Sequence, residues 1–219
     1  MLALIVDDHP LLREAIKEVI ESHFASPVVR EASTGEEAIR VVRVEPVELV
    51  ILDIGLPDCS GLTVLKRIKQ IRPSLKCLVL TMHDDVQYVR LAMVHGASGF
   101  LTKGATPGEL YGAMRTILSG GQAVMEPFRE TLGRRSMRRD AIEPNESLSV
   151  RELEVIFLLG KGLTVSRIAK RLKLSVKTVS TYRTRLLEKL RLETTADLIR
   201  YAIDHQLIRE RVNGLSDRL

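Results

Sequence analysis

Five short apolar runs, LALIV, VVREA, VELVIL, KCLVLT and GFLTK, recur at intervals of roughly 20 to 25 residues through the first half of this chain. Between them the apolar residues fall at helical spacing, near residues 10–23, 35–44, 62–71, 85–95 and 106–119. Short apolar strands alternating with helices are the pattern of parallel strands joined by crossover helices, because a parallel pair needs a connection long enough to return the chain to the same end of the sheet. The expectation is a (βα)₅ unit, a doubly wound parallel sheet. Gly120 and Gly121 supply a stop for its last helix.

From 120 the periodicity lapses. Arg134, Arg135, Arg138 and Arg139 cluster there with Pro144 and Asn145 close behind, which reads as a solvated linker. After Ser147 the pattern is wholly helical. Ser149 with Glu152 has capping-box spacing before VIFLLGKG, Thr194 with Asp197 has the same spacing before LIRYAI, and Thr164 and Ser175 stand where caps of two intervening helices belong. The expected layout is a first domain over 1–119, a linker over 120–145, an all-α four-helix domain over 146–209 and a tail over 210–219.

Charge is divided along the same line. From Leu148 onward there are 15 Lys+Arg against 8 Asp+Glu, or +7, while the remainder carries 18 against 20, or −2. A basic back behind a slightly acidic front suggests that the helical domain meets a polyanion. The opening MLALIVDDHP is apolar for only five residues after Met1 before two aspartates, so neither a signal peptide nor a membrane span is expected and a cytoplasmic protein is. Cys59 and Cys77 lack metal-ligand spacing, and no disulfide framework is expected of them.

In an open parallel sheet, functional groups gather beyond the C-terminal ends of the strands. Asp7 and Asp8 end the first run, Asp53 the third, Thr81 the fourth and Lys103 the fifth. Any one of these serves as a helix cap in many proteins, but their coincidence on one edge points to a site. Three close carboxylates repel unless a cation joins them, and an all-oxygen set suits Mg²⁺ completed by water. Asp53 can then attack a phosphoryl group as a carboxylate nucleophile, with Lys103 neutralising charge on the transferring oxygens and Thr81 hydrogen-bonding the product.

In the helical domain, TVSRIAKRLKLSVKTVSTYR over 164–183 has the form of helix, turn and second helix, with Leu174 and Ser175 at the turn. On the second helix Val179, Tyr182, Leu186 and Leu190 share one side; Lys177, Ser180, Thr181, Thr184 and Glu188 share the other, flanked by Arg183 and Arg185. Small hydroxyls that reach base edges beside cations that hold phosphates suit a recognition helix in the major groove.

The motifs DDHP, LVILDIGLPDCSGL, LVLTMHDD and GASGFLTKG, over residues 2 to about 119, resemble a bacterial response-regulator receiver domain. The stretch LSVRELEVIFLLGKGLTVSRIAKRLKLSVKTVSTYRTRLLEKL resembles the LuxR-type helix-turn-helix of the NarL/FixJ group. The resemblance implies Asp53 as phosphoacceptor and Mg²⁺ on Asp7, Asp8, Asp53 and the backbone carbonyl of Gly55. It further implies phosphoryl binding by Thr81 and Lys103, with Phe100 as the aromatic switch in a place where tyrosine is common. Base contacts would fall to Ser180, Thr181 and Thr184, and base-edge or backbone contacts to Lys177, Thr178 and Arg185. The helix TADLIRYAIDHQL is similar to one through which such domains pair on DNA, although Leu198, Ala202 and Ile203 suit a core equally. The function implied is phosphorylation-controlled, sequence-specific binding of double-stranded DNA, with a sensor histidine kinase or phosphotransfer protein as donor, a homodimer when phosphorylated or on DNA, and no membrane partner. It would be no enzyme beyond assisting its own phosphotransfer and dephosphorylation.

Three other readings compete. A DNA-binding regulator with a phosphorylation-independent receiver is opposed by the complete Asp, Thr and Lys set. A phosphatase with an aspartate nucleophile needs a second Asp two residues on, where this chain has Gly55. A nucleotide-binding dehydrogenase needs a glycine-rich loop after the first strand, where this chain has DDHPLLRE.

Overall fold

The computed structural model describes residues 1–82, 86–125, 148–172 and 174–204. They fall into two units, 1–125 and 148–204. The arginine cluster at 134–139, the close of the LVLTMHDD motif at 83–85, most of the expected linker, residues 205–209 and the tail lie outside the described residues.

The first unit is built on β1 (Leu2–Val6), β2 (Val28–Ala32), β3 (Leu49–Leu52), β4 (Lys76–Thr81) and β5 (Gly99–Thr102). The helices α1 (Pro10–His23), α2 (Gly35–Val44), α3 (Gly61–Ile71), α4 (Val86–Val94) and α5 (Pro107–Leu118) alternate with these strands. A sixth strand, β6 (Ala123–Val124), follows α5. All pairings are parallel and the order is β2-β1-β3-β4-β5-β6. Residues expected to begin the linker therefore extend the sheet: Gly99 and Phe100 pair with Ala123 and Val124, both of which are buried. A two-residue strand is too short to show a period, which is why the sequence reading passes over it.

The sheet is covered on both faces. Ala3, Ile5, Leu49, Ile51, Leu78, Leu80 and Leu101 pack with Ile16 and Ile20 of α1 and Met114 and Ile117 of α5. The alternate residues Leu4, Val6, Val50, Leu52, Val79 and Phe100 are also buried, as strands clothed by helices on each side require. Cys77 lies in this interior, where burial pushes its thiol up to about 12 and keeps it protonated at neutral pH. Neither Cys77 nor Cys59 forms a disulfide.

The second unit has four helices among its described residues, α6 (Val150–Gly160), α7 (Val165–Arg171), α8 (Val176–Leu190) and α9 (Thr195–Asp204). Each expected cap is present. Ser149 and Glu152 form a full capping box, Thr164 accepts from the Arg167 N–H, and Ser175 accepts from the Thr178 N–H. Thr194 and Asp197 exchange N–H bonds of 2.9 and 3.2 Å. Val155, Ile156, Leu158, Ile168, Val179, Leu186, Leu198 and Ala202 form the buried interior. Leu198 and Ala202 thus belong to the core, with Ile203 partly covered. Lys189 of α8 donates to Glu152 at 2.7 Å, tying the start of α6 to the end of α8. Desolvation opposes ionisation of Glu152, yet the Lys189 and Ser149 hydrogen bonds outweigh it and hold the carboxyl below its usual range. No helix among the described residues is long and apolar enough to cross a membrane.

Candidate functional site

Strands β1 and β3 are neighbours with Val6 opposite Leu52, so the residues that follow, Asp7 and Asp53, leave the sheet side by side. The backbone holds them there. Asp53 donates its N–H to Val6 O at 2.9 Å, Asp7 donates to Ala32 O at 3.1 Å, and Lys103 donates to Thr81 O at 2.9 Å. The order β1-β3-β4-β5 thus brings together four predicted residues from distant parts of the chain.

Lys103 Nζ lies 2.7 Å from Asp7 Oδ2 and 2.7 Å from Asp53 Oδ2. All three side chains are almost wholly buried. Burial alone would lower the Lys103 pKa, but hydrogen bonds and charge attraction from Asp53 and Asp7 outweigh it and raise the ammonium above the ordinary lysine value. The lysine therefore stays cationic throughout the physiological range. Thr81 is buried beside this edge.

Asp8 is more open than Asp7, at 20% against 3% exposure. His9, which the sequence reading did not select, brings Nδ1 to 2.9 Å from both Asp7 Oδ1 and Asp8 Oδ1, and its N–H donates to Asp7 Oδ1. Its position as N-cap of α1, directly after the two aspartates, was the available signal. Ligand atoms of Asp7, Asp8, His9 and Asp53 all lie within 4.8 Å of one another. Three hard carboxylates in so small a space fit a divalent cation such as Mg²⁺ by donor chemistry.

Two glycines make room for Asp53. A Cβ on Gly55 would stand 3.3 Å from Asp53 Oδ2, so this flank of the carboxylate lies against bare backbone. At Gly61 a Cβ would collide with the Asp53 carbonyl oxygen and lie 2.8 Å from Ile54 Cα. Gly61 N–H also donates to Ile54 O at 2.9 Å, so α3 starts against the end of β3 only because that residue lacks a side chain. Phe100 is fully buried and pairs in register with Val79 and Val124. Arg13 braces the loop from the other side, donating to Asp7 O at 2.8 Å and to Glu31 Oε2 at 2.7 Å.

In the second unit, α7 and α8 form the expected helix-turn-helix. Lys177, Thr181, Thr184 and Arg185 are exposed and Ser180 half-exposed, while Val179 and Leu186 face inward. Thr178 differs from Lys177, Thr181 and Thr184. It is half-buried, with Oγ1 2.7 Å from Ser175 Oγ, and it belongs to the cap of α8 as much as to the surface.

Comparison with known proteins agrees with this division. Residues 3–115 match the response regulator receiver domain family, and residues 146–202 match the bacterial regulatory proteins of the luxR family. The chain is similar to the response regulator UvrY of Escherichia coli K12, 35% identical over 205 residues that cover 93% of this chain and 94% of that protein. Its structure resembles RcsB from Salmonella enterica serovar Typhimurium bound to promoter P1flhDC with the phosphomimetic BeF₃⁻, with TM-score 0.59, 28% identity and coverage of 92% and 97%. It also resembles a structure of two RcsB dimers bound to two parallel DNAs, with TM-score 0.58, 28% identity and the same coverage.

Proposed function

Because the chain belongs to the response regulators that join a receiver domain to a luxR-family DNA-binding domain, we propose that phosphorylation of Asp53 controls how α8 engages DNA. The protein is a phosphorylation-controlled transcription regulator that binds double-stranded DNA and takes its phosphoryl group from a histidine kinase. The observation that carries the residue assignment is the Lys103 ammonium shared by Asp7 and Asp53 at 2.7 Å each.

On this reading a carboxylate oxygen of Asp53 attacks the phosphorus of a phosphohistidine on the kinase or a phosphotransfer protein. The P–N bond breaks as the acyl phosphate forms. Lys103 follows the phosphoryl oxygens as their cationic partner, and the Thr81 hydroxyl donates to one of them. The carboxylates of Asp7, Asp8 and Asp53 and the backbone carbonyl of Gly55 would hold Mg²⁺, which supplies charge neutralisation on the transferring oxygens. The same site assists its own dephosphorylation. Phe100, within the strand that delivers Lys103, is the residue whose packing reports the phosphate to the outer face.

Phosphate adds nearly two negative charges at an edge already balanced by Lys103, and so shifts a receiver between conformations. We take the consequence to be pairing of receivers, or release of the DNA-binding unit, that favours binding at paired half-sites. RcsB occurs as dimers on DNA, and the same state is proposed for this chain, working in the cytoplasm with the DNA it binds. The domain limits proposed are those of the sequence reading, with residues 120–125 joined to the receiver sheet.

The test is labelling of the purified chain with a small phosphodonor and Mg²⁺. One acid-stable, base-labile phosphoryl group is expected, and Asp53→Asn should abolish it. Equal labelling of the Asn variant would move the acceptor elsewhere.

A further inference from the structure

The exposed face of α8 carries hydroxyls whose protons are already committed. Thr181 Oγ1 donates to Lys177 O at 3.0 Å and Thr184 Oγ1 donates to Ser180 O at 3.2 Å. Each threonine therefore turns outward an oxygen that can only accept and a methyl group. Thr178 is taken up with Ser175 at the cap. Among the described residues, this leaves Ser180, Lys177, Arg183 and Arg185 as the donors on and beside the face.

Val176 borders the same face. A step of four residues advances a helix by about 40°, so Val176, Ser180 and Thr184 form one stripe. Val176 is 51% exposed, and among the side chains of this unit whose burial is described it is the large hydrophobic one left open. An uncovered valine at the first turn of a helix whose N-terminal residues meet base edges is placed to touch a base. The feature of the major groove that matches an aliphatic side chain is the C5-methyl of thymine, and the groups that match an acceptor oxygen are the amino groups of adenine N6 and cytosine N4.

We propose that this helix reads DNA through methyl groups and acceptor oxygens. Val176 packs against a thymine methyl, Thr181 and Thr184 accept from base amino groups, and Lys177 and Arg185 hold the backbone. The inference rests on the DNA-binding reading above and adds the chemistry by which bases are told apart. With Lys177 and Arg185 on the backbone, guanine, read through the acceptors O6 and N7, is left to Ser180 among the small side chains of this face.

The experiment uses the full chain and a duplex chosen by binding selection. Each thymine of a half-site is replaced in turn by deoxyuridine, which removes only the C5-methyl, and each guanine by 7-deazaguanine, which removes N7. A single deoxyuridine at the contacted thymine of one half-site should lower affinity about fourfold, the value of one buried methyl group. Val176→Ala should lower affinity on the thymine duplex and lose most of that penalty on the matching deoxyuridine duplex, because both changes delete the same contact. The deoxyuridine arm uses unaltered protein, so it holds whatever the variant does to folding. Selected binding that every deoxyuridine leaves unchanged, with 7-deazaguanine abolishing it, would overturn the methyl and acceptor readout while DNA binding stood. Failure to select any sequence would overturn specific DNA binding itself, and this inference with it.

Discussion

Replacing Lys103 with methionine keeps an apolar stem of similar length and deletes the ammonium that Asp7 and Asp53 share. At 2.7 Å and an effective dielectric near 20, each pair has a gross attraction of about 6 kcal/mol, most of it offset by desolvation and by repulsion between the two carboxylates. The net loss is set by what remains: two carboxylates, 3% and 5% exposed, with no cation between them. Breaking a buried pair in this way costs roughly 3–5 kcal/mol. Asp8 and His9, at 20% and 59% exposure, open the site to water on one side, which favours the lower figure of about 3 kcal/mol. With a urea slope of about 2 kcal/mol per molar, the receiver transition in the full chain should move down by about 1.5 M, followed by circular dichroism since the chain has no Trp. Mg²⁺ should restore more of the loss in the variant than it adds to the parent, because a divalent cation replaces the missing charge. The pH dependence has a definite sign. A raised lysine pKa contributes stability that is fully present below the unfolded lysine value and lost as pH rises through the higher folded one. The gap between parent and variant should therefore stay level through neutrality and close only above the ordinary lysine range. A midpoint shift under about 0.3 M, with equal Mg²⁺ response in both proteins, would refute the reasoning and reduce the triad to a solvated contact.

Three further outcomes follow from the geometry. Asp8→Ala should weaken Mg²⁺ affinity and slow phosphotransfer, with metal titration and labelling rate as the paired readouts, since one of three clustered carboxylates is lost. Gly61→Ala should displace Asp53 by forcing a Cβ into its backbone carbonyl; a stability loss of roughly 1–3 kcal/mol and slowed labelling are expected, and unchanged labelling would mean the start of α3 can shift freely. Arg185→Ala should lower affinity on all DNA sequences alike and reduce the salt slope by about one, whereas a change in base preference at constant slope would place the side chain in the groove.

Periodicity made the strands, their helices and the four capped helices of the second unit legible, because burial imposes a local spacing that each segment carries on its own. The strand-end rule then put Asp7, Asp8, Asp53, Thr81 and Lys103 at one edge of the sheet without any pairing being known, and cap chemistry found Ser149, Thr164, Ser175 and Thr194, whose partners lie three residues away. Other features depended on approach between distant segments. That β1 and β3 are neighbours, setting Asp7 beside Asp53, follows from the strand order; no periodicity in either strand states it. Lys103 could be placed at the edge by sequence, but its equal reach to two carboxylates needs β5 at its actual offset from β3. His9 gains its meaning from local contacts with the two aspartates just before it, and Gly61 from the collision that any side chain there would cause. Thr178 and Thr184 look alike in sequence, yet one hydroxyl sits at a helix cap and the other on an open face with its proton bonded into the helix. The strand Ala123–Val124 is two residues long and exists because β5 offers an open edge to the chain leaving α5. A spacing rule tells which way a residue faces within its own element, and only packing decides which element it will meet.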